Sequence, residues 1–303
     1  MRYTVRLTTD KGELHAFLQR DPIWSAYAIG DLEPAHFAWC TWRVAEDAAG
    51  RLAGLALLYR RLEPAVLLTV GEPPAIAAIL QQTALPQRVY ISARQEHLPL
   101  LLACYDFSAD RVRPMLRMAV PAFQPSARPA HCDASLEESG IPRCRSHVGV
   151  RTPRYKGDET LSEYARALRR LSVVDVPAIE ALIGLGGPFA PDAFSPEQVA
   201  EGLFFGLELA EAYGELVAVA GTHLVAPTWG VAAVGNVYVH PAWRGRGYGA
   251  MVSSSVTAEL LERGLLVVLN VDQDNPAAIN LYRQLGFAVH CPFVEGIGRR
   301  VDW

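Results

Sequence analysis

The sequence predicts an α/β protein with a mixed, mostly antiparallel sheet flanked by helices, the layer being formed twice in tandem. Three observations carry this. The chain of 303 residues exceeds one ordinary domain. Short apolar runs with strand character alternate with segments of helical period and are punctuated by glycine and proline. The region before residue 121 reads as a worn copy of the region after residue 164, element by element.

In the first region, residues 1–7 alternate like a strand, and Leu7-Thr8-Thr9-Asp10 leads into a helical pattern over 11–19, just as 171–175 leads into 176–183. Residues 50–58 parallel 214–221, both starting at a glycine and continuing as an apolar strand. A strand over 88–92 and a helical segment over 96–105 parallel the strand 266–271 and the helix 276–285. We therefore expect domains at 1–120 and 165–303. Between them, over 121–164, periodicity fades and Pro121, Pro125, Pro129, Pro142 and Pro153 recur, as in a linker.

The linker contains His131-Cys132 and Cys144-Arg145-Ser146-His147. Adjacent His and Cys do not easily reach one tetrahedral ion, and no Cys-x-x-Cys pair is present, so a solvated connector rather than a zinc site is expected. Five cysteines, scattered and odd in number, do not suggest a disulfide framework. A formal net charge of −4 argues against a general nucleic-acid binder. No apolar run is long enough for a membrane span, and the N-terminus lacks the apolar core of a signal peptide. Cytoplasm is the expected compartment.

The second region carries the chemistry. Strand patterns at 216–224 and 231–239 are joined by a short turn containing Pro227. The second strand runs into Asn236-Val237-Tyr238-Val239-His240-Pro241-Ala242-Trp243-Arg244-Gly245-Arg246-Gly247-Tyr248-Gly249-Ala250, a glycine-rich turn opening a helix expected over 251–261 and stopped at Gly264. Glycines let successive N–H groups point into one concavity, the following helix adds the positive end of its dipole, and Arg244 and Arg246 add full charge. That is a pyrophosphate cradle. A strand over 265–271 follows, then Asn275 as the cap of a helix beginning at Pro276, with Ala278, Leu281, Tyr282 and Leu285 on one face.

Arg244-x-x-Gly247-x-Gly249 after a Val-x-Val strand end, followed by Asn275-x-x-Ala278-x-x-x-Tyr282-x-x-x-Gly286-Phe287, resembles the acyl-CoA-binding region of the GNAT superfamily of N-acetyltransferases. The resemblance runs from near Leu168 to Trp303, and the first region looks like a GNAT-like domain that has lost cofactor binding. It implies acetyl-CoA as acyl donor, no metal, and a small amine-bearing acceptor, amino acid or peptide; it leaves an oligomer open. By resemblance, backbone groups of Val237, Tyr238 and Val239 would hold the pantetheine arm and those of Arg244, Gly245, Arg246, Gly247, Tyr248, Gly249 and Ala250 the pyrophosphate. Asn275 and Ala278 would meet the arm from the other side. Tyr282 would return a proton to the leaving thiolate.

One departure concerns the base. Many family members carry a glutamate on the strand before the cradle, where this chain has Ala232-Ala233-Val234-Gly235-Asn236. His223, on the neighbouring strand, could act through a water, and Asn236 could position that water or the amine. Two other readings compete: a CoA-binding module without catalysis, and a dinucleotide enzyme using Gly245-x-Gly247-x-x-Ala250 with Asp272. The latter is weakened because a Rossmann turn puts its first glycine at the strand end and because too little chain follows Gly249 to complete a doubly wound sheet.

Overall fold

A computed structural model describes residues 3–108, 112–120, 168–212 and 214–301. The whole of the expected linker, 121–164, with its His and Cys residues, lies outside them. Contacts divide the chain into two compact units: one comprises the residues up to Met118, Asn270–Asp274 and the residues from Val289 on, the other Ala119 to Leu269 and Asn275 to Ala288.

In the first unit the strands are β1 (Thr4–Leu7), β2 (Cys40–Glu46), β3 (Leu52–Tyr59), β4 (Ala65–Gly71), β5 (Arg88–Arg94), β6 (Tyr105–Asp106) and β7 (Arg113–Ala119). In the second they are β8 (Leu168–Arg170), β9 (Phe205–Glu208), β10 (Leu216–Ala226), β11 (Val231–Val239) and β12 (Leu266–Asp272), the last of which passes into the first unit at Asn270. A thirteenth strand, β13 (Ala288–Arg300), follows. The spatial orders β1-β2-β3-β4-β5 and β12-β11-β10-β9-β8 repeat one plan. Within each, neighbouring strands run antiparallel until the last pair, β4 with β5 and β11 with β12, which is parallel. A parallel pair needs a crossover, and helices Pro73–Gln81 and Tyr248–Glu262 supply it.

These crossovers form where the sequence lets them. The first begins at Pro73, whose fixed φ suits a first helical residue, and buries Ala75, Ile76, Ile79 and Leu80. The second buries Val252, Val256, Leu260 and Leu261; it starts at Tyr248, three residues before the sequence pattern suggested, because Gly247 takes a left-handed φ of 84° and turns the chain directly into the helix. The single helix expected over 96–105 is instead a 3₁₀ turn, Gln95–His97, and a short helix, Leu98–Leu102. Pro99 sets the start of that helix, and Tyr105 is taken by β6, which pairs with Arg299–Arg300.

Strand β13 is the main addition to the sequence-based reading. From Phe293 to Arg299 it pairs antiparallel with β5, and it sits between β5 and β7. The first unit is thus completed by residues from 289 onward, inside the stretch read from sequence as the second domain.

Candidate active site

Strand β11 pairs with β12 only from Val231 to Val234. Beyond Val234 it continues to Val239 with its other edge still on β10. The backbone from Asn236 to Val239 therefore presents one unpaired edge just before the glycine turn, as an extended ligand with alternating donors and acceptors would require. Parallel pairing of β4 with β5 stops in the same way, at Leu68 and Ser92, although β4 runs on to Gly71.

The turn after β11 is built for backbone donation. Gly245 and Gly247 have φ of 76° and 84°, accessible to glycine at little cost. Gly247 caps the helix without a side-chain hydrogen bond, so the first helical N–H groups point out of the helix end with the dipole behind them. Arg244 donates from Nε to the carbonyl of Val239 at 3.1 Å and lies over the Tyr238 ring at 5.5 Å; Arg246 lies over Trp243 at 4.6 Å. Both arginines are exposed. A Cβ on Gly249 would come within 3.2 Å of Leu281 and 3.3 Å of Val239, which explains a small residue where helix Tyr248–Glu262 approaches helix Pro276–Gln284.

Two irregularities flank Gly235. Pairing of β10 with β11 shifts between Val219 and Gly221 and again between Thr222 and Leu224, so Asn236–Val237 bulge on one strand and His223 on the other. Bulges re-aim side chains. Asn236 has φ of 52°, the one non-glycine with positive φ among the described residues, and is 3% exposed. Its Nδ2 donates to Gln198 Oε1 at 2.9 Å, while Oδ1 is buried without a donor from the described chain. The His223 ring lies over Gly235, where an added Cβ would be 2.2 Å from Nε2. The site thus brings His223 and Asn236 to one place on the sheet.

Tyr282 is buried, with its ring edge-on to Phe287 at 5.9 Å, and burial pushes its phenol up, away from ionisation. Asn275 has a helix to cap: its Oδ1 accepts from Ala278 N at 3.1 Å, leaving Nδ2 for other partners. The Tyr238 side chain faces the core and donates to the Gly186 carbonyl at 2.6 Å, so its contribution to a ligand is limited to backbone. Tyr248 is buried as well, 6.4 Å from Trp243.

Sequence reasoning missed Gln198. It lies in helix Pro196–Glu201, and its Oε1 also accepts from Ser195 N at 3.1 Å in a capping box. The Ser195-Pro196-Glu197-Gln198 signature marks the cap, but nothing local says that the same oxygen holds Asn236. Phe204 was missed too; it packs where Gly221 has no side chain, an added Cβ falling 2.2 Å from the ring. Among the described residues no group of His, Cys, Asp and Glu is arranged to hold a metal, and no helix is long and apolar enough to cross a membrane.

Residues 186–287 match the model of the Acetyltransferase (GNAT) family. Similar curated proteins include the mycothiol acetyltransferases of Tsukamurella paurometabola, 35% identical over 112 residues, 32% of this chain and 38% of that protein, and of Amycolatopsis mediterranei, 38% identical over 92 residues, 28% and 31%. The matches therefore span less than half the length of these relatives. The whole chain shares its fold with a Drosophila protein (TM-score 0.66, 15% identity, covering 97% of this chain and 98% of that one). It shares it also with a tandem GNAT protein from the clavulanic acid biosynthesis pathway (TM-score 0.51, 13% identity, 98% of each). The fold is accordingly a mixed α/β sheet with two GNAT-like layers in tandem.

Proposed function

We propose that the chain moves an acetyl group from acetyl-CoA to a primary amine of a small molecule, amino acid or peptide, and that the second unit does the chemistry. The observation that carries this is the free edge of β11 from Asn236 to Val239 leading straight into a glycine turn with open helix N–H groups. An extended pantetheine arm fits the edge, and a pyrophosphate fits the turn.

The amine nitrogen attacks the thioester carbonyl, the C–S bond breaks, the thiolate takes a proton and an amide remains. Asn236 Oδ1 accepts from the incoming amine, and Gln198 fixes that amide so that the oxygen faces the substrate. His223 removes the amine proton through a water in place of a carboxylate on β11. Tyr282, held protonated, donates to the thiolate. The first unit does not bind the donor: its matching turn has Glu72 before Pro73 and Pro74, which lack N–H groups, while Glu72 accepts from Tyr3 and His97 holds the Gly71 carbonyl at 3.0 Å.

Calorimetric titration with acetyl-CoA, CoA and NAD tests the cradle, with one acetyl-CoA site and no NAD binding expected. CoA release in the presence of an amine panel, with the mycothiol-type acceptor suggested by the relatives' name assayed first, tests the chemistry. Binding without CoA release from any acceptor would leave a CoA-binding module.

A further inference from the structure

The first unit contains a charge that the proposed reaction does not use. Arg117, on β7, is 0% exposed. Its guanidinium carbon lies 4.6 Å from the Tyr27 ring centroid, 5.3 Å from that of Trp24 and 5.4 Å from that of Phe293. None of its three side-chain nitrogens has an acceptor among the described residues. An arginine keeps its proton in proteins and carries five N–H donors. Cation–π contacts offset only part of the cost of burying an ion, which is recovered only when hydrogen bonds replace its water. The cage alone does not explain the residue.

The nearby carboxylates are engaged elsewhere. Asp21 is bonded by Arg94 and by His290 at 2.8 Å, and accepts from Trp24 N at 3.1 Å. Glu295 accepts from Tyr90 at 2.7 Å and Asn270 at 3.1 Å, with Arg113 at 3.9 Å. Each acid thus has its own arginine, and Arg117 is the surplus cation. Beside it are two more buried donors without acceptors, Trp24 Nε1 and Ser25 Oγ, on the segment that forms one wall of the cage.

We infer that the first unit carries a binding site for a small carboxylate, anchored on Arg117 and walled by Trp24, Tyr27 and Phe293. A guanidinium presents two parallel N–H groups that match a carboxylate's two oxygens. The aromatic walls suit a monoanion with an apolar body better than a strongly hydrated phosphate dianion, which needs more donors than the cage offers. Asp21, Arg94 and His290 are each part-exposed, and Arg94 lies over the Trp24 ring of the cage at 5.4 Å, so that rearrangement of this group is the way in. The site is independent of acetyl transfer, and its ligand is a small carboxylate effector.

The test is titration of the full-length protein with benzoate, followed by calorimetry and by thermal melting, with inorganic phosphate in a parallel arm. Saturable 1:1 benzoate binding with a raised Tm is expected. Arg117→Met should weaken it at least tenfold and leave acetyl-CoA affinity unchanged. Trp24→Phe, which keeps the ring wall and removes one donor, should weaken it several-fold, and it carries the test if the methionine variant does not fold. Equal benzoate binding in either variant, or no saturable binding to the wild type, would overturn the site and make Arg117 a structural cation. Phosphate bound in preference to benzoate would overturn the carboxylate assignment.

Discussion

Asn236 holds a backbone conformation that an ordinary L-residue adopts only at a cost of about 1–2 kcal/mol, and does so inside a strand beside the candidate cleft. Strain of this kind persists where the side chain is needed. Glycine and alanine at this position separate the two effects. Asn236→Gly keeps the backbone and removes the amide, so Tm should stay near wild type while kcat/KM for the amine drops about tenfold, the worth of one ordinary hydrogen bond. Asn236→Ala should lose the same activity and, in addition, about 1 kcal/mol of stability from the forced positive φ. Equal activity in both variants and the wild type would remove Asn236 from the site. At Tyr282 the ring is packed and the hydroxyl is the candidate, so Tyr282→Phe should leave acetyl-CoA affinity unchanged and lower kcat by about 10²–10⁴-fold. His223→Ala should flatten the acidic limb of the pH–rate profile; an unaltered limb would pass proton removal to bulk water.

At the scale of elements, the turn between β11 and its helix was legible because its signal is local. Glycine spacing, a strand before and a helix after are all read within one short window, and Gly245 and Gly247 take the left-handed φ open to glycine. Strands β10 and β11 were legible for the same reason, through their apolar runs. The bulges were not, since a bulge is a relation between two strands, and neither His223 nor Asn236 differs in sequence from a regular strand residue. Strand β13 was missed because Pro292, Gly296 and Gly298 break its alternation and its partner β5 is far away in sequence. The local signal makes its own prediction. Gly247→Asp adds a Cβ at φ 84° and a carboxylate where phosphate must approach, so acetyl-CoA should bind at least tenfold more weakly. Circular dichroism should be nearly unchanged. Wild-type affinity in this variant would show that the donor lies elsewhere.

Over the whole molecule, two properties follow from how the first unit is assembled. Asp31, half-buried at the C-terminal end of helix Ala26–Gly30, has its carboxyl pushed up to about 8 by burial. In the unfolded chain an aspartate titrates near 3.9. Between those values the folded state holds a proton that the unfolded state has released, so the group's contribution to stability is full below about 4 and is lost as pH rises toward 8. Melting curves across that range should show a shallower fall in Tm for Asp31→Asn than for the wild type; identical slopes would mean that Asp31 ionises freely in the fold.

The second property concerns β13. The first unit acquires its strand between β5 and β7 from residues that follow every strand of the second unit in sequence, and that strand brings Phe293, Val294 and Cys291 into the buried interior. Burying a large apolar side chain is worth about 1.5–3 kcal/mol, and each ladder hydrogen bond adds about 1 kcal/mol. A strand paired from Phe293 to Arg299 is therefore comparable in worth to the total stability of a domain, about 5–15 kcal/mol. Without it, β5 would expose an unpaired edge, and Arg117 would lose the Phe293 wall of its cage. A chain ending at Phe287 should consequently aggregate or melt well below the full-length protein even though every residue of the cradle and Tyr282 is present. Soluble expression of that shortened chain with an unchanged Tm would show that the pairing of β5 with β13 is not what holds the first unit together.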